Sequence, residues 1–360
     1  MEILHSPPKV NHVNAAQTCA AILDRGQLKP LLARLSRIET KTAIYAIAFQ
    51  WLSIAIFVMT AICSANAIVY LVCAFFICTR KHALAVIMHD AAHFRLLPSR
   101  FWNDLVSDLF LALPMGLNTA LYRRYHLEHH QHTNGENDPD KKLMAGHRNW
   151  AFPRSFREFL RLAFTDLLGL NNLELNRFYR QWSPWSAVGG SSEIRAFLSF
   201  RDYVALSGYL VALISFLYVT NGWLHFLLLW YLPSLFFIPV IVRARAIGDH
   251  LGVASTHELN ATRTIQVSLL ERLLIFPCHI NFHLEHHLFP SVPFYNLPKL
   301  HKELMMLPEY RKNAHITKGY FSFRHGLLGE LCSTSTLTDA RFRMSQVHAT
   351  NISSRNEHSL

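Results

Sequence analysis

The sequence predicts an all-α, multi-pass membrane protein, with four transmembrane helices in two hairpins and a cytosolic, histidine-rich helical cap. Three observations predict it. Of 360 residues, 51% are apolar, and the mean hydropathy is positive at +0.15, which belongs to a chain in lipid rather than to two or three soluble domains. Residues 42–79 and 203–242 contain no Asp, Glu, Lys or Arg, and each run is close to twice the roughly 20 residues that cross a bilayer core. The histidines, 22 in all, gather in clusters outside those runs.

Taken in order, residues 1–40 are polar and proline-punctuated and read as a cytosolic arm with a short amphipathic helix. Membrane spans follow at about 42–62 and 66–84, broken only by Cys63-Ser64-Ala65-Asn66. The second span is expected to continue as helix past Arg80 and Lys81, which read as headgroup anchors or partners of buried carboxylates, and to deliver His89 and His93 at the interface. Residues 101–117 are apolar but carry Asn103, Asp104, Asp108 and Pro114, which favours a helix lying in the interface over a span. A loop at 134–140 and a basic amphipathic region at 152–178 come next, the latter of a kind that lies on a membrane surface. Two further spans, about 203–220 and 223–242, flank Asn221-Gly222. The membrane domain is expected over 41–320, and 321–360, rich in Ser, Thr, Asn and Arg, as a disordered tail.

Neither outer turn carries Lys or Arg, whereas every histidine cluster falls beside basic residues. With a net charge of +11, the positive-inside rule places all clusters on the cytosolic face. No basic run alternates with aromatics, so nucleic acid is not an expected partner. The six cysteines show no Cys-x-x-Cys spacing and read as free thiols. No cleaved signal peptide is expected.

The clusters carry the chemistry. In His89-Asp90-Ala91-Ala92-His93 the two imidazoles are four apart and share a helix face. In His126-Leu127-Glu128-His129-His130 and in His283-Leu284-Glu285-His286-His287, offsets of three and four place three each on one face. His250, beside Asp249, emerges from the fourth span as a ninth ligand, its plainer reading being an interfacial histidine paired with that carboxylate. His279 and His132 are candidates for extra ligands or outer hydrogen bonding, and Asp90, Glu128, Asp249 and Glu285 for orienting imidazole N–H groups. Asp138 and Asp140 flank Pro139, and loop chemistry accounts for them. Nine imidazoles suit two ions, and imidazole suits zinc, copper, iron and nickel alike. An all-histidine pair of sites at a membrane surface favours redox iron acting on a lipid. A metal transporter is a more remote reading, since its ligands would sit within the spans.

The three clusters resemble the histidine boxes of the integral-membrane fatty acid desaturase superfamily, as do residues 134–140 and the stretch Leu288-Phe289-Pro290-Ser291-Val292-Pro293. The resemblance implies a mushroom-like helical fold, a non-haem di-iron centre, O2 as co-substrate and an external electron donor of ferredoxin or cytochrome b5 type. It implies a double bond introduced into a long acyl chain, or hydroxylation or ketolation of a lipid or carotenoid. The first box has three intervening residues, and Ala246 stands where the acyl-CoA type has asparagine, which points to lipid- or carrier-linked chains. Bacterial inner membrane and endoplasmic reticulum fit equally.

Overall fold

A computed structural model describes residues 21–186, 195–322 and 326–332. The first twenty residues of the expected arm and most of the expected tail lie outside them. The described part of that tail corrects the reading of 321–360 as disordered, since residues Leu327–Cys332 form a helix whose Leu327, Leu328 and Leu331 are buried against Phe276 and Tyr320 of the same core cluster. Helix α1 (Arg25–Leu35) precedes a hairpin of α2 (Thr40–Ser64) and α3 (Ala67–Ala92). The polar break between them works as a two-residue turn: Ala65 takes the left-handed conformation at φ 46, and the Asn66 side chain caps α3 by accepting from the N–H groups of Ile68 (2.9 Å) and Val69 (3.1 Å). The second hairpin pairs α9 (Phe200–Val219) with a long helix, α10 (Trp223–His250), around Asn221 at φ 50. These four helices are long and apolar enough to cross a membrane, as the charge-free runs require.

Helix α3 continues past Arg80 and Lys81 to Ala92, as expected, and α10 runs on to His250, with the charges of α3 turned inward. Arg80 donates to the carbonyl of Leu273 (2.6 Å) and to Gln50 Oε1 (3.2 Å). Lys81 donates to the carbonyl of Trp230 (3.0 Å) and to Ser234 Oγ (2.5 Å), and lies 4.3 Å from the Trp230 ring centre. The reading of these two as headgroup anchors or carboxylate partners is therefore corrected. They are buried, and their partners are carbonyls and neutral side chains, which removes the need to reach lipid.

The segment expected to lie in the interface forms α4 (Arg100–Ser107), a π turn (Asp108–Ala112) and a 3-10 turn (Leu113–Met115), then bends by 90° into α5 (Thr119–His132). Its polar residues fix the bend. Asp104 takes Arg123 (3.1 Å) and Arg201 (3.2 Å), and Asp108 takes the Thr119 N–H (2.9 Å) and Arg201 (3.2 Å). By length and composition alone, α4 and α5 together pass as a broken fifth span.

The cap is built from α5, α6 (Pro139–Met144), α7 (Phe156–Leu167), α8 (Asn172–Trp182), α11 (Leu269–Leu274), α12 (His283–Leu288) and α13 (Leu297–Leu304). A two-residue parallel pair, β1 (Thr264–Ile265) with β2 (Ile316–Thr317), closes it in the register Thr264 to Ile316. Leu28 and Leu35 of α1 pack with Leu284, Leu288 and Leu300, so the described end of the arm belongs to the cap. Buried Arg243 joins α10 to α7 and α8 through Asp166 (2.5 Å) and Glu174 (3.3 Å), with Trp150 over its guanidinium. Gly248 lets α10 approach the chain segment before α12, since a Cβ there would lie 2.9 Å from Phe276 Cζ. That approach sets the depth at which His250 enters the cap.

Asp166→Ala leaves buried Arg243 with Glu174 as its one carboxylate partner among the described residues. Its cost is therefore expected below the roughly 3–5 kcal/mol of a fully uncompensated buried charge, with Asp166→Ala combined with Glu174→Ala reaching that range, read as lowered melting temperatures in detergent. Glu271 gives a pH-dependent counterpart. Burial alone would raise its pKa, but the backbone N–H groups of Ser268, Tyr320 and Phe321 outweigh that and hold it below the usual carboxylate range. A depressed carboxylate stabilises the fold above its unfolded pKa and loses that contribution as pH falls through the folded value. Glu271→Gln should therefore lower stability at neutral pH and flatten its fall between about pH 5 and 3.

Candidate metal centre

The nine box and span histidines come from four elements that meet under the cap. The C-terminal turn of α3 supplies His89 and His93, α5 supplies His126, His129 and His130, the end of α10 supplies His250, and α12 supplies His283, His286 and His287. They form two groups. His89, His93, His126, His130 and His286 bring ligand atoms within 4.8 Å of one another, as do His129, His250 and His287. His283 joins the second group, its Nε2 lying 2.8 Å from His250 Nε2 and 3.1 Å from His287 Nε2. The groups share a wall where the rings of His130 and His287 stack with centroids 4.2 Å apart.

These contacts do not close as a hydrogen-bond network. His130 Nε2 lies 3.0 Å from both His126 Nε2 and His286 Nε2, yet one ring nitrogen holds at most one proton and can donate to only one of them. His283 Nε2 faces the same choice, and among the described residues buried His89 Nε2 has no hydrogen-bond partner. A cation resolves the conflict by accepting every lone pair. Nitrogens held at about 2.0–2.1 Å from one ion, near right angles, stand about 3 Å apart, which is the spacing observed. The donors are also in the right protonation state. Burial, reinforced by neighbouring imidazoles, holds His126, His130, His283, His286 and His287 well below the usual histidine pKa, so they present lone pairs at neutral pH. The residues thus fit two ions of the kind that imidazole binds.

His129 differs. Burial pushes its pKa down, but Asp140 and the hydrogen bond to Asp138 outweigh burial and raise it. Its Nδ1 donates to Asp138 Oδ1 at 2.9 Å and leaves Nε2 for a metal. Asp138 also accepts from the N–H groups of Asn134 (2.7 Å) and Asp140 (2.9 Å). The loop reading of Asp138 was thus half of its role, and the acceptor role was missed; its spacing of nine from His129 has no helical signature. Thr133 Oγ1 lies 3.3 Å from His287 Nδ1, a second contact that sequence reasoning did not reach.

Other expected participants sit elsewhere. His279 packs against Phe282, and neither it nor half-buried His132 belongs to either group. Glu128 is exposed. Asp90 accepts the Phe294 N–H at 2.7 Å and lies 3.7 Å from His89 Nδ1. Asp249 holds Arg245 at 3.0 Å and lies 3.8 Å from His283 Nε2. Glu285 touches none of the nine imidazoles; fully buried, it accepts from His301 Nδ1, Tyr310 OH and Thr264 Oγ1, each at 2.5 Å, and fixes α12 to β1 and α13.

Residues 34–318 match the sequence profile of the family described as fatty acid desaturase. The chain belongs to the fatty acid desaturase family. It is accordingly an oxidoreductase of the membrane. Relatives of this desaturase-family enzyme include dihydrorhizobitoxine desaturase of Bradyrhizobium elkanii, 26% identical over 67% of this chain and 69% of the relative. Fatty acid desaturase 3 of Bos taurus is 26% identical over 68% of this chain and 54% of its own length. A fatty acid desaturase 2-like protein of Mus musculus is 21% identical over 65% and 50%. The chain thus spans about half the length of the two mammalian relatives.

If each group holds one ion, His286→Ala and His250→Ala should each reduce bound metal from two to one per chain by elemental analysis. Asp138→Asn removes an imidazole's orienting carboxylate and should weaken metal binding about 10–100-fold, measured by competition with a chelator.

Proposed function

We propose that this protein is an O2-dependent di-iron desaturase that introduces a carbon–carbon double bond into a long acyl chain, lipid- or carrier-linked. The observation that carries the reading is the pair of adjoining all-imidazole groups, together with family membership. The nine ligands are His89, His93, His126, His130 and His286 for one iron and His129, His250, His283 and His287 for the other. Bound iron supplies O2 activation and the one-electron steps that take two hydrogens from adjacent carbons. The balance is a CH2–CH2 unit, O2, two electrons and two protons giving CH=CH and two waters. The electrons come from an external donor of ferredoxin or cytochrome b5 type.

The chain's residues set the conditions. Burial excludes water from the imidazoles, and Asp138 and Thr133 orient two of them. Tyr122 stacks on His126 with ring centroids 5.3 Å apart and lines the cavity beside it. The basic loops support the reading that the centre lies on the cytosolic face of a bacterial inner membrane or of the endoplasmic reticulum. Hydroxylation or ketolation on the same scaffold differs only in the fate of the carbon after its first hydrogen is removed.

The test is a mass-spectrometric lipid profile of an aerobic host expressing the chain, beside the same host carrying His129→Ala. New unsaturated acyl chains that vanish in the variant are expected. Hydroxylated or ketolated products instead assign the other oxidation, and a purified chain without iron overturns the reading.

A further inference from the structure

We infer that the small aromatic cavity beside the second histidine group seats an anionic group of the substrate, a carboxylate or a phosphate, on Arg245. This rests on the oxidase reading above and deepens it. The cavity, about 110 Å³, is bounded by Tyr122, Tyr125, Trp150, Trp182, Arg245 and Ala246, and it opens on His126, His129, His250 and His283. A substrate fragment in it lies against the imidazoles of both groups.

Arg245 is the cation of this cavity with donors to spare. Its Nε is held by Asp249 Oδ2 at 3.0 Å, and among the described residues no partner takes its two Nη groups. The carboxylates that share the lining are already engaged. Asp249 holds Arg245, and Asp140 accepts Tyr125 OH at 2.6 Å and lies 3.5 Å from His129 Nδ1. A guanidinium edge, fixed along one side and open along the other, matches the two oxygens of a carboxylate or phosphate. Walls of tyrosine and tryptophan keep water low, so such a pair is stronger than at a surface.

Size bounds the ligand further. Ligand clefts commonly start at about 300 Å³, so this cavity admits one end of a molecule. Asp249 touches both Arg245 and His283, which puts the anion-binding edge within a few bonds' length of the metal ligands. The substrate that follows brings an anionic group, a phosphate of its headgroup or carrier or a carboxylate at its free end, close in space to the carbons oxidised. A larger apolar groove of about 800 Å³, bounded by Ala65, Tyr70, His225 and Phe236, shares no residue with the centre and does not select the reacting carbon.

The experiment measures, on the metal-loaded protein, quenching of tryptophan fluorescence by hexanoate, hexyl phosphate and hexanol. At least one anion should bind tenfold or more tightly than hexanol, and which anion wins separates an acid from a phosphate ester. Arg245→Gln should abolish the preference while retaining its metal, and Arg245→Lys should keep part of it. Equal binding of all three probes to the native chain overturns the proposal, as does a loss in Arg245→Gln that falls equally on hexanol. Should Arg245→Gln shed metal, Ala246→Leu carries the test: it fills the cavity with Arg245 in place and must lose anion binding, and unchanged binding overturns the proposal. Metal content is read on the same samples, so failure of the di-iron reading registers there and failure of the cavity reading in the probe titrations.

Discussion

Buried imidazole lone pairs, brought too close to one another to be satisfied by protons, are what the rest of this structure depends on. Each of His130 Nε2 and His283 Nε2 has two nitrogen neighbours within 3.1 Å, and a single N–H bond satisfies one of them. Neutral rings leave lone pairs over, which a cation would take. Protonation is no remedy, because burial disfavours charge on most of them and adjacent imidazolium ions would repel. The cap must therefore supply packing energy from elsewhere to hold nine rings in register before any metal arrives.

That energy comes from contacts made by residues other than the nine histidines. The α1 and α13 leucines pack behind α12, Glu285 pins α12 from its far side, and Arg243 with Asp166 locks α10 to α7. The bend between α4 and α5 is set by Asp104 and Asp108, which draw in Arg123 and Arg201. Four helices thus reach the centre at angles set by buried ion pairs and carboxylate hydrogen bonds rather than by the histidines themselves. Buried away from water, such charges are costly unless paired and hydrogen-bonded.

How much of this was legible follows from the range of each interaction along the chain. The spans were legible because the absence of charge over twice a bilayer's span is a local property, and the boxes because offsets of three and four define a helix face. Glu285 was misplaced for an instructive reason. It sits between ligands in sequence, but side chains at its offset leave the helix on the opposite face from His283, His286 and His287, so it braces the helix instead of the rings. Arg80 and Lys81 were misread because a charge at a span's end has two solutions, headgroup or buried carbonyl, and only the tertiary neighbours Leu273 and Trp230 choose between them. Asp138 was legible as a turn former and not as an imidazole acceptor, because its reach to His129 depends on how the loop folds back.

The outer carboxylates also decide how much charge the centre keeps. Asp138, Asp140 and Asp249 surround the second group, yet none belongs to the nine-imidazole set. Each is partly spent on another donor: Asp138 on backbone N–H groups, Asp140 on Tyr125, Asp249 on Arg245. A carboxylate directly on a metal would cancel a full charge there, whereas one shared through an imidazole orients the ring and cancels less. Ions bound to the imidazoles would add positive charge within the aromatic walls, against Asp138, Asp140 and Asp249, and Arg245 lies on the side where the cavity opens. On the proposed reading, an anionic substrate group approaching from that side would meet Arg245 in a medium of low polarity, so the residues that border the imidazoles would also select the charge of what is oxidised.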